Sequence, residues 1–155
     1  SNRIFPESGV LKAFHATSHH ANDPDTIYDY NQISTYRVSA MRYLLEKLRD
    51  TTEAGVPLLD KTAIIWGSGM GDPNVHNVLR CPLILMGRAN GALEGNVHLK
   101  ALDGTPMANA FVSLLRGIGH EDLQGFGDST GRLPLTPPDH TGRPATEIIS
   151  RTGEV

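Results

Sequence analysis

Three of the chain's seven histidines fall in one hexapeptide, His15-Ala16-Thr17-Ser18-His19-His20. His15 and His19 are four residues apart, so a single helical turn points both imidazoles the same way. Imidazoles placed like this can share a metal ion at bonds of about 2.0–2.1 Å, as histidine pairs at this spacing do in zinc sites. His20 must face elsewhere in any regular conformation, which suits it to a supporting place behind the ligands or to proton transfer near neutral pH. Ser18 brings a hydroxyl that can fix an imidazole tautomer or touch a ligand. A second cluster, Asp72-Pro73-Asn74-Val75-His76, offers one hard oxygen and one borderline nitrogen in a short loop. His15, His19, Asp72 and His76 together make a His3Asp set adequate for zinc or another first-row divalent metal. Plainer alternatives stand beside this: polar loops collect histidines, and Asp72 can instead bond its own backbone in a turn.

The elements that must carry these residues follow from periodicity and punctuation. Residues 1–23 lack a repeat and are rich in Gly, Pro, His, Asn and Ser, which reads as a loop. From Pro24 onward Ile27, Tyr30, Ile33, Arg37, Ala40, Met41, Leu44, Leu45 and Leu48 recur at helical spacing. Asp23 is placed to cap that helix, Pro24 suits its first position, and Gly55 and Pro57 lie beyond its end. Thr62–Trp66 and Leu83–Met86 read as short buried strands, 97–100 as a brief third, and Pro106–Ile118, capped by Thr105, as a second helix. The glycines of Gly67-Ser68-Gly69-Met70-Gly71 do not match a dinucleotide fingerprint; they let backbone approach something closely, such as an anion held by amide N–H groups. Asp128-Ser129-Thr130-Gly131, after Phe126-Gly127, reads as a turn that pins the second helix's exit.

Strand, helix and strand alternate, so the expected fold class is α/β, with a mostly parallel sheet flanked by helices. The expected organisation is one domain over 1–135 and an extended or loosely ordered tail over 136–155. In such sheets ligands gather outside the carboxyl ends of strands, which is where the loop carrying Asp72 and His76 departs. The net charge of −3, with scattered Lys and Arg, gives no footprint for nucleic acid. Apolar runs of only a few residues exclude a membrane span. Cys81 is the sole cysteine, which rules out an internal disulfide and a cysteine-based zinc knuckle and leaves a small buried thiol. His98 and His120 read as ordinary surface residues.

The hexapeptide fits the signature of a bacterial family named for its HxxSHH motif, largely exported proteins of uncharacterised function. Leu44-Leu45-Glu46-Lys47-Leu48, Leu58-Leu59-Asp60, Gly67-Ser68-Gly69-Met70-Gly71-Asp72 with His76-Asn77, and Phe126-Gly127-Asp128-Ser129-Thr130-Gly131 also resemble that family. The resemblance implies an extracytoplasmic or secreted protein, of which this chain looks like the carboxyl-terminal portion. The order of elements around Thr62–Trp66, His76, Pro82–Met86 and Pro106–Ile118 more distantly resembles the carboxyl-terminal half of the alkaline phosphatase and sulfatase superfamily. That likeness implies metal ligands at His15, His19 and His76. It departs from the superfamily where Ser68-Gly69 replaces the strand-end Asp-His, and the superfamily's nucleophile lies in an amino-terminal half not represented here.

Two functions are therefore expected in competition. One is a metal-dependent hydrolase of phosphate or sulfate esters on a small molecule or glycan, with zinc as the foremost cofactor and His20 and Ser18 as catalytic helpers. The other is an exported, non-catalytic binding module whose histidines hold a structural metal or recognise a glycan. A purely structural role for the histidines is the third alternative.

Overall fold

The computed structural model describes residues 2–135 and the backbone of 146–150. Most of the expected tail, with His140, lies outside the described residues. In chain order the elements are α1 (Phe14–Ser18), α2 (Pro24–Asp50), β1 (Thr52–Glu53), β2 (Val56–Pro57), α3 (Leu58–Lys61), β3 (Ile64–Gly67), β4 (Leu83–Met86), β5 (His98–Ala101), α4 (Ala108–Gly117) and β6 (Thr146–Ser150), with 3-10 turns at Pro6–Ser8 and Ala89–Gly91. The fold is mixed helix and strand. Among the described residues the strands pair two by two rather than in one broad sheet: β1–β2, β3–β4 and β5–β6, the first and last antiparallel. The strands are two to five residues long, too short to template a wide sheet. No helix among the described residues is long and apolar enough to cross a membrane.

By internal packing the chain divides into two compact units, Ser1–Thr51 with Gly67–Pro82, and Thr52–Trp66 with Leu83–Val155. In the first unit, α2 forms as its capping residues dictate. Asp23 accepts the Thr26 N–H and the Thr26 hydroxyl, each at 2.8 Å. Pro24 sits in the first turn, and Lys47 and Arg49 lie at the negative end of the dipole. The amino-terminal segment folds back on this helix. Phe14 stacks on Tyr30 (centroids 5.7 Å apart), Phe5 meets Phe14 edge-on and tilts against Tyr36, and the Arg37 guanidinium lies 4.2 Å from the Phe14 ring centre. Lys12 pairs with Asp29 at 2.6 Å. Of the 27 residues of α2 only Ile33 is fully buried; Leu44, expected inward, is 41% exposed.

The second unit packs Ala89, Leu93 and Leu114 against Ala63, Leu85, Ala92 and Leu135. Here α4 starts at Ala108 with no side-chain cap, not at Pro106 under a Thr105 cap. The Pro106 and Met107 carbonyls instead accept tighter bonds from Asn109 and Ala110, each at 3.0 Å. Buried Asn109 breaks the expected apolar face for a reason: its Oδ1 accepts the Thr130 N–H at 2.9 Å and its Nδ2 donates to Thr130 Oγ1 at 3.3 Å. The Asp128–Gly131 turn is therefore held, through Thr130, at the start of α4 rather than at its exit. Gly87, at φ 86, has no room for a side chain because a Cβ there would be driven into the Thr62 carbonyl.

Candidate functional site

Every sequence-predicted site residue belongs to the first unit. The five-residue α1 carries the hexapeptide, and its buried hydroxyls bond back along the chain: Thr17 Oγ1 donates to the Ala13 carbonyl at 2.9 Å and Ser18 Oγ to the His15 carbonyl at 2.8 Å. These bonds close one turn of helix without an N-terminal cap. The turn sets His15 against His19, their ring centroids 4.9 Å apart and their planes at 78°. Ser18 thus faces inward and holds the turn.

The loop after β3 brings the third imidazole. Gly71 and Asp72 both donate to the Asn77 carbonyl (2.9 and 3.2 Å), and Asn77 N–H returns to the Asp72 carbonyl at 2.8 Å. At Gly71 a Cβ would collide with the Leu79 carbonyl, so the close approach that its glycine allows is to the loop's own backbone. At Gly69 a Cβ would meet nothing. His76 takes a left-handed backbone (φ 54), uncommon outside glycine and tolerated by histidine better than by most residues. Its ring stands edge-on to His19, centroids 4.8 Å apart at 80°. His15, His19 and His76 form a continuous edge-to-face row, with His19 half-buried in the middle and the outer two exposed.

The spacing can be compared with what a metal needs. With bonds of about 2.0–2.1 Å and tetrahedral angles, two imidazole centroids on one ion stand roughly 5 Å apart. The observed 4.9 and 4.8 Å match that separation for His19 with each of its two neighbours, while three rings on one ion would also need it between His15 and His76. The donor atoms do not yet converge: among the described residues, no three His, Cys, Asp or Glu side chains are set to hold one ion. The donor types suit a divalent cation, and the described geometry is not that of a closed site.

Hydrogen bonds fix the tautomers. His19 Nδ1 lies 3.2 Å from the Asn74 carbonyl oxygen. A carbonyl only accepts, so Nδ1 carries the proton, and in the neutral ring Nε2 keeps its lone pair, the arrangement of a metal-ligating histidine. His20 is the reverse, its Nδ1 accepting the Asn22 N–H at 3.1 Å, so that neutral His20 is protonated at Nε2. Its ring turns away from the row, toward Tyr30 (centroids 6.4 Å).

Asp72 is half-buried, and its Oδ1 accepts the Asn74 N–H at 2.9 Å. This is the turn geometry the sequence also allowed, and it joins Asp72 to the loop rather than to an imidazole. His98 and His120 are exposed, as expected of surface residues. Cys81 is only half-buried, its thiol donating to the Val78 carbonyl. Asn74 was not signalled by the sequence as a site residue: its partners lie 53 and 55 residues away, and no local pattern marks such contacts. No family model, curated protein or solved structure matches the chain.

Proposed function

We propose that His15, His19 and His76 hold a divalent cation, zinc by donor type, in a hydrolase of phosphate or sulfate esters of the HxxSHH kind. The observation that carries this is the row of three imidazoles drawn from two distant segments, in which His19 stands from each neighbour at the centroid spacing of two imidazoles on one ion. On this reading the fold is a mostly parallel α/β sheet of the alkaline phosphatase type, in an exported protein acting on a small-molecule or glycan ester. A bound ion would supply Lewis acidity toward a phosphoryl or sulfuryl oxygen. The residues of this chain play supporting parts, the nucleophile lying outside it on this reading. His19 offers Nε2 because Asn74 holds its Nδ1 proton. Neutral His20 holds a proton at Nε2, from which it can donate a hydrogen bond to a developing negative oxygen. Ser18 keeps His15, in α1, and His19, just past its end, in register.

A second reading, a non-catalytic module with a structural metal or a glycan-binding histidine cluster, is favoured by one observation: Asp72 is engaged by Asn74. That bond ties one Asp72 carboxylate oxygen to its own loop rather than to an ion beside the imidazoles.

The test is zinc titration of protein purified without chelator, against a competing chromophoric chelator. His15→Ala, His19→Ala and His76→Ala are each expected to weaken zinc by more than about 100-fold, beyond the 10–100-fold typical of losing an outer-shell partner. Stoichiometric zinc left unchanged by all three would overturn the assignment. Turnover of aryl phosphate or sulfate esters by zinc-loaded protein then separates the hydrolase from the binding module.

A further inference from the structure

We infer that Asn74 is the positioning residue of this site: it fixes the His19 tautomer and joins the two chain segments that supply the imidazoles. The inference rests on the metal-site reading for its functional meaning and on hydrogen-bond geometry for its substance. Three polar groups of Asn74 are engaged. Its backbone N–H donates to Asp72 Oδ1 at 2.9 Å, anchoring the residue in its own loop. Its backbone carbonyl accepts from His19 Nδ1 at 3.2 Å, and its side-chain Oδ1 accepts the Ala21 N–H at 2.8 Å. One residue therefore grips two nearby points on the other segment, one on each side of His20.

The segment it grips needs a clamp. Ala21 and Asn22 both take left-handed backbone (φ 49 and 61), a conformation that L side chains adopt at a cost. The Ala21–Asn22 turn reverses the chain between α1 and α2, and so sets the direction in which His19 and His20 leave α1. Asn74 Oδ1 satisfies the Ala21 N–H, and the rigid φ of Pro73 just before it limits where that oxygen can lie. His76 follows two residues later. The hydrogen bonds that seat Asn74 thus also place His76 against His19.

Removing the side chain leaves the Asn74 carbonyl in the chain but frees the Ala21 turn, so His19 and the carbonyl lose their fixed alignment. Long-range proton–nitrogen spectra of the imidazoles in zinc-free, full-length protein are expected to show His19 protonated at Nδ1 in the wild type. Asn74→Ala should shift His19 toward the Nε2-protonated form and weaken zinc by about 10–100-fold. Asn74→Asp keeps an acceptor for Ala21 and is expected to restore both. Should Asn74→Ala fail to fold, Asn74→Ser, too short to reach Ala21, carries the same expectation. A His19 that stays protonated at Nδ1 in the short variants, with unchanged zinc affinity, overturns the role of Asn74. If the wild type binds no zinc, the metal reading fails, and the tautomer comparison alone still decides for or against Asn74.

Discussion

Adjacent histidines in this chain present opposite ring nitrogens. His19 gives its Nδ1 proton to a carbonyl and keeps a lone pair at Nε2, whereas His20 accepts at Nδ1 and keeps a proton at Nε2. One ring is thereby suited to bind and its neighbour to donate, a division set by backbone partners rather than by residue type. If the site is the ester hydrolase proposed above, His20→Ala is expected to leave zinc affinity as in the wild type while lowering ester turnover by about 10²–10³-fold. Steady-state kinetics on zinc-saturated protein check this, and an equal loss of zinc binding would contradict it. The four-residue spacing of His15 and His19 could be read from the sequence because one helical turn decides it. The fate of Asp72 could not, because an Asp two residues before an amide N–H serves a turn and a metal equally well on paper. The structure puts it in the turn.

At the scale of elements, α2 shows how far pattern reaches. Its amino-terminal cap and length were legible because they depend on neighbours in sequence: Asp23, Pro24, and the breakers past Asp50. The covered face was not, because periodicity marks an apolar stripe without saying what lies against it. Phe5, Phe14 and the hexapeptide segment cover the first half of the stripe, and Leu44 in the second half stays 41% exposed. The cap also makes α2 sensitive to acid. The Thr26 hydroxyl, and then the Thr26 N–H, hold the Asp23 carboxyl below its usual pKa. A carboxylate lowered in the folded state contributes stability above the ordinary carboxylate range, and that contribution is lost as pH falls through the lowered value. Asp23→Ala should therefore melt a few degrees below the wild type at neutral pH. The two melting temperatures should converge in strong acid, as circular dichroism across the pH range would record.

At the scale of the molecule, the sequence foretold a mixture of helix and strand but not the pairing of strands, which depends on contacts distant along the chain. β3 and β4 form a two-stranded sheet, and each leaves an isoleucine outside, Ile65 at 47% and Ile84 at 43% exposure. Two-stranded sheets are marginal alone, and apolar strand surfaces invite association. Replacing both isoleucines by Thr is expected to preserve the circular dichroism spectrum and to reduce concentration-dependent light scattering; unchanged scattering would show that these strands take no part in self-association. The segment between those two strands has a different consequence. Ser68 N–H bonds to the Pro82 carbonyl at 3.2 Å across its neck, and the Asp72–Asn77 bonds close it again further out. Such a doubly pinched excursion behaves as a cassette. Its tip can be shortened, lengthened or exchanged while the strand ends that launch it keep their separation, so new ligand sets can be grafted at His76 without redesigning the scaffold beneath.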